Sequence, residues 1–141
     1  MLTINSSNLL LYDDAIRLLD QNNLPVIFWD TCTLLDIMRI PLNSATTSVG
    51  KLRMVLAIKQ KIKEGKIMSF ASVLTVKELN DHINRYKLEL FTRASDISKD
   101  HNNMVALINA INPTSSPIPY IDLNAHNIEN LLLDTITSIT D

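Results

Sequence analysis

Two acidic residues stand where a metal-dependent reaction on phosphate esters would need them. Asp30 directly follows the apolar run Val26-Ile27-Phe28-Trp29, and Glu78 lies on the amphipathic stretch after a second apolar run, Ile67 to Ala71. If both runs are strands of one parallel sheet, both acids sit at carboxyl ends, the edge where open α/β sheets gather functional side chains. Two converging carboxylates repel each other unless a cation neutralises them, and all-oxygen ligands suit Mg2+ or Mn2+. A divalent ion held there would activate water and stabilise charge developing on a phosphodiester. Each acid also has a plainer role. Asp30 is a good N-cap for a helix beginning at Thr31, a role compatible with metal binding because a cap holds the carboxylate still. Glu78 reads equally as a solvated acid on a helix flank.

The elements that must position these residues follow from periodicity and breakers. Asn8 to Gln21 reads as a helix capped by Ser6 or Ser7, with Leu11, Ala15, Leu18 and Leu19 on one stripe. Pro25 ends the break after it, and Val26 to Trp29 reads as a short strand buried on both faces. Asp30 opens a helix that Pro41 terminates. After a polar loop from Leu42 to Ser48, a helix from about Val49 to Glu64 turns Leu52, Val55, Leu56 and Ile62 inward, with Gly65 as its C-cap. Ile67 to Ala71 is the second strand. It feeds a helix whose apolar residues, Val76, Leu79, Ile83, Tyr86 and Leu90, step by three and four. A polar stretch through Asp100 then separates a further helix, Asn102 to Ile111. Ile118 to Asp122 reads as a possible third strand, and Ala125 to Ile139 as a last helix bearing Ile128, Leu131, Leu132, Ile136 and Ile139. Buried strands alternating with helices predict an α/β fold with a parallel sheet.

Other polar residues invite weaker readings. Thr75, Glu78, His82 and Arg85 step by three, four and three and would line one helix flank. His82 could support a metal, and Arg85 and Lys87 could grip a phosphate, but a solvated flank explains all three. Asp36 reads as a surface acid and Cys32 as a small packing residue without a partner at zinc-ligand spacing. Lys51, Lys59, Lys61, Lys63 and Lys66 form a modest basic strip, more often a solubility feature than a nucleic-acid groove.

Composition narrows the class. The chain of 141 residues is 46% hydrophobic and 20% charged, with a formal charge of −2, so no global basic field marks a nucleic-acid binder. Its 2 glycines and 5 prolines favour a helix-rich fold over a turn-dense all-β one. A single cysteine excludes an internal disulfide and fits a reducing, cytoplasmic setting. No secretory signal and no membrane span are expected. Residues 1–141 read as one domain, with an N-terminal helical segment (1–22), core motifs (25–91) and a helical extension (92–141).

Two stretches carry a family resemblance. VIFWDTCTLLDIMRIP resembles the opening of PIN-domain proteins, where a hydrophobic strand ends in Asp, then Thr or Ser, then a small polar residue and paired leucines. SFASVLTVKELNDH resembles their second motif, a strand followed by a helix bearing a glutamate. The resemblance spans Pro25 to Tyr86. It implies a three-layer α/β/α domain with a parallel sheet, and a Mg2+- or Mn2+-dependent nuclease acting on RNA or single-stranded nucleic acid. By this resemblance Asp30 and Glu78 are metal ligands, and Thr31 is the catalytic hydroxyl that orients Asp30 or a metal-bound water. The helices between and after the motifs look more like those of the longer PIN proteins than of the compact toxins. Family members add a third and often a fourth aspartate from a later helix introduced by a loop. That pattern is not found, because Asp134 sits mid-helix in LLLDTITSI. The chain therefore reads as a PIN-like domain incomplete at its C-terminus, active in a longer form. The competing readings are a catalytically silent PIN-like module that binds a protein or nucleic-acid partner, a homodimer included, and a small helical protein with an accidental motif match.

Overall fold

A computed structural model describes residues 2, 4, 6–43, 45–113 and 116–140. The elements run α1 (Tyr12–Asp20), β1 (Val26–Trp29), α2 (Thr31–Arg39), α3 (Ala45–Lys63), β2 (Met68–Ala71), α4 (Val73–Ile111) and α5 (Ile128–Thr140). Short 3-10 turns lie at Ser6–Asn8, Ile40–Leu42 and Leu123–His126. The architecture is mixed α/β and mostly helical, built on a two-stranded parallel sheet.

The strands pair as the two apolar runs predict, Val26 opposite Met68 through Trp29 opposite Ala71. Side chains alternate between faces. Ile27, Trp29, Ser69 and Ala71 share the core face, where the Trp29 indole N–H donates to the Ser69 hydroxyl at 2.7 Å. Ser69 in turn donates to the Ile139 carbonyl and ties α5 to the sheet. On the other face Phe28 and Phe70 stack, their ring centroids 5.4 Å apart. Phe28 is 67% exposed, so the expectation of a strand buried on both faces is corrected. The physical reason is that α1 stands across a cleft from this face and buries none of its own residues.

Helices α2, α4 and α5 meet over the core face through Leu34 and Met38, Leu79, Ile83 and Leu90, and Leu132, Ile136 and Ile139, all at most 4% exposed. Each such burial contributes about 1.5–3 kcal/mol. Two side-chain pairs fix how α2 and α4 lie. Thr31 touches Glu78 and the Arg39 guanidinium sits 5.6 Å from the Tyr86 ring centre; both pairs are 47 residues apart, so the helices run side by side in one direction.

Several expectations fail in informative ways. The first helix begins at Tyr12 rather than Asn8, with Leu11 at its N-cap; Asp13 and Asp14 then fall in its first turn, where the helix dipole favours them. Leu11 is 76% exposed and leaves the expected stripe. The loop expected from Leu42 to Ser48 is shorter, since α3 starts at Ala45; Ser48 donates to the Ile40 carbonyl and stitches α3 to the turn before it. Leu56 and Leu131 face outward, not inward. Gly65, with φ of +69°, ends α3 as its lack of a side chain allows.

The largest difference concerns α4. The two helices separated by a polar stretch are one helix of 39 residues. No Gly or Pro occurs between Val73 and Ile111, so the polar stretch stays helical; it buries Ala94 and Ser98, and Ser98 accepts from the Leu123 N–H. Ile118 to Asp122 is not a strand. It is extended chain held by α4: Asn102 accepts from the Ile121 N–H and donates to its carbonyl, both at 2.8 Å, and Asn109 does the same for Ile118. Asn80 grips the backbone of Leu2 in the same way. The last helix begins at Ile128, not Ala125, because Asn127 adopts a left-handed φ of 48° that breaks the preceding turn.

Candidate metal site at the carboxyl ends of the strands

Parallel pairing puts the ends of β1 and β2 on one edge, and each strand passes directly into a helix there. Asp30 caps α2, its carboxylate accepting from the Thr33 N–H at 2.7 Å. Ser72 caps α4 by accepting from the Thr75 N–H at 3.0 Å, which places Glu78 in the second turn. The Thr31 hydroxyl, in the first turn of α2, donates to Glu78 Oε2 at 2.5 Å. Thr31 thus joins Glu78, while Asp30 stands at the N-terminal end of α2, where the helix dipole favours negative charge.

Asp30 and Glu78 are exposed and Thr31 is half-buried. Hydrogen bonds from Thr33, the side chain first and the backbone N–H second, hold the Asp30 carboxyl below its ordinary value. Among the described residues, no lysine or arginine forms an ion pair with either acid. Two unneutralised carboxylates and a fixed hydroxyl suit a hard divalent cation as part of its shell. Among the described residues no group of three or more His, Cys, Asp or Glu could hold a metal ion.

The other candidates lie elsewhere. Thr75 does not line the Glu78 flank; it is buried against the Ser72 hydroxyl, because the capping geometry turns it inward. His82 is exposed one turn beyond Glu78. Arg85 donates to Glu89 at 3.1 Å, and Lys87 is half-buried. Asp36 pairs with Arg39 at 3.8 Å as a surface acid, and Asp134 is exposed on α5. Cys32 is exposed rather than packed, since the inward face of α2 is taken by Leu34, Ile37 and Met38. Of the basic strip, Lys66 pairs with Glu64 at 2.6 Å and Lys59 is half-buried.

A cleft of about 720 Å3 lies between α2, α3 and Glu89 of α4, and Asp30, Thr31 and Glu78 are not among the residues that line it. Trp29 and Thr33 lie at its wall, and Asp36, Arg39, Lys51 and Glu89 supply charge of both signs. The spacing of Thr33 and Asp36 after Asp30 puts them on one face of α2 and is visible in the sequence. Lys51 and Glu89 join only through tertiary packing.

Comparison with known proteins gives no match: no family model fits the chain, and no curated protein and no solved structure is significantly similar to it.

Proposed function

We propose that this chain is a PIN-like, divalent-metal-dependent nuclease domain acting on RNA or single-stranded nucleic acid in the cytoplasm, with a three-layer α/β/α plan. The observation that carries the reading is the Thr31–Glu78 hydrogen bond, which brings the acid of the second motif against the hydroxyl beside the acid of the first. Bound Mg2+ or Mn2+ would supply an activated water and charge stabilisation at phosphorus. Asp30 and Glu78 would hold the ion through carboxylate oxygens. The N-cap bond fixes Asp30, and Thr31 fixes the Glu78 carboxylate, so both acids are oriented before an ion arrives. The N-termini of α2 and α4 favour the phosphate of the substrate at the same edge. Two carboxylates leave most of a six-coordinate shell to water and substrate oxygens, so affinity for the ion should be weak and cleavage slow.

The second reading, a catalytically silent module that binds a partner, is favoured by large exposed apolar side chains such as Phe28, Leu107 and Ile111. One experiment separates the two. Wild type, Asp30→Asn and Glu78→Gln are incubated with a labelled single-stranded RNA, with and without Mn2+, beside thermal melts in a Mn2+ titration. Slow Mn2+-dependent cleavage, lost in both variants together with the Mn2+-dependent rise in Tm, is expected. Cleavage unchanged in either variant would refute the site; a Mn2+-dependent rise in Tm without cleavage selects the silent module.

A further inference from the structure

The cleft between α2 and α3 has an apolar floor and one spare charge. Each helix lines it with a single face, residues at steps of three, one and three running from Thr33 to Ile40 on α2 and its C-cap and from Lys51 to Ile58 on α3. The Ser48 hydroxyl donates to the Ile40 carbonyl and ties the two helices together where the turn between them joins the cleft. Ile37, Ile40 and Val55 are 4%, 4% and 6% exposed, so their side chains are fixed by the core behind them. The Trp29 indole stands at the wall nearest the sheet. A volume of about 720 Å3 with largely apolar walls and a few polar groups is of the size and character that holds small molecules.

The charges along this lining do not all find partners. Asp36 pairs with Arg39 at 3.8 Å, and the Arg39 guanidinium also lies against the Tyr86 ring. Glu89 is met at 3.1 Å by Arg85, which is outside the cleft. Lys51, among the described residues, has neither an ion pair nor a side-chain hydrogen bond. One positive charge is therefore left over beside the apolar floor. A dianion would set two charges against that one, with the Asp36 and Glu89 carboxylates on the same wall repelling it. An amine would face an ammonium that nothing else neutralises. A single negative charge on an apolar body matches the lining.

We propose that this cleft binds an apolar monocarboxylate, its hydrocarbon body against Ile37, Val55 and Trp29 and its carboxylate on the Lys51 ammonium. The site is separate from the proposed metal site, whose residues do not line the cleft, and it stands whether or not that site binds an ion. Aliphatic and aromatic acids share this chemistry, and octanoate and phenylpropanoate serve as the two probes.

Equilibrium dialysis of the full chain with each labelled acid measures affinity, and Trp29, the single tryptophan of the chain, reports by its fluorescence whether the cleft is filled. Saturable binding of at least one acid with a matching change at Trp29 is expected, and octanol and octylamine should bind more weakly than octanoate. Lys51→Met weakens binding of the acid about fivefold, the upper range for an exposed ion pair, and leaves octanol unchanged. Met54→Glu, a new negative charge at a rim site 60% exposed, weakens the acid as well. Lys63→Met, on the same helix but outside the cleft, changes neither ligand. Thermal melts show all three variants folded, since each site is exposed. Failure of both acids to bind saturably, or binding without a response at Trp29, overturns the site. Octanol bound as tightly as octanoate, octyl phosphate bound more tightly than octanoate, or a Lys51→Met effect no larger than that of Lys63→Met overturns the assigned ligand chemistry.

Discussion

Replacing Thr31 by Val removes the side-chain hydrogen bond that ties the first turn of α2 to Glu78 on α4. The bond is 2.5 Å long and its acceptor is a carboxylate. Charge-assisted bonds stabilise by about 1.5–3 kcal/mol net when shielded. Here Glu78 is exposed and Thr31 only half-buried, so water competes for both groups and the lower end of the scale or less applies. A double-mutant cycle over Thr31→Val and Glu78→Ala isolates the pair, because the change in helix propensity at position 78 cancels between backgrounds. The expected coupling is about 1 kcal/mol. For a domain of this size, Thr31→Val alone should lower Tm by about 3 °C. Urea unfolding of the four proteins, followed by circular dichroism, measures the coupling. A value indistinguishable from zero, below about 0.3 kcal/mol, would mean that Thr31 and Glu78 do not meet in solution, and the candidate site would lose the contact that assembles it.

Asp30→Ala should lower Tm measurably and Asp30→Asn much less, because Asn remains a good N-cap. The depressed Asp30 carboxyl contributes stability that is present above its unfolded value and lost as pH falls through the folded one. The stability difference between wild type and Asp30→Asn should thus be flat near neutrality and shrink below about pH 4; a difference that grows in acid contradicts this. Asn102→Ala removes both bonds to Ile121 and should lower stability by about 1–2 kcal/mol. It should also make the chain sensitive to chymotrypsin at Tyr120, already 65% exposed, and unchanged proteolysis would show that the clamp is not what holds the segment. Ile136→Ala, at a fully buried site between α2, α4 and α5, should lower stability by about 2–5 kcal/mol in a urea titration.

Much of this chain is legible from local residue order. The apolar run before Asp30, the run before Ser72 and the helical spacing after each specify two strand–helix units. Two such units joined through a crossover helix pair in parallel, as β1 and β2 do. Asp30 as a cap and Gly65 as a stop are equally local, since each depends on the backbone within a turn of itself. Properties set by distant partners were not legible. Nothing near Ile118 says that its N–H and carbonyl will be satisfied by Asn109 rather than by a neighbouring strand. An extended apolar pentapeptide presents the same pattern in either case, and only the continuation of α4 past Lys99 brings the asparagines alongside. Phe28 reads as buried because apolar runs usually are, yet its exposure depends on where α1 settles, 67% of it remaining open. Thr31 was singled out by its place beside Asp30, but its hydrogen bond goes to Glu78, because α2 and α4 run side by side in register from one sheet edge. Capping and periodicity are decided within a turn or two of backbone, whereas burial and long-range hydrogen bonding are decided by which surfaces the helices bring together.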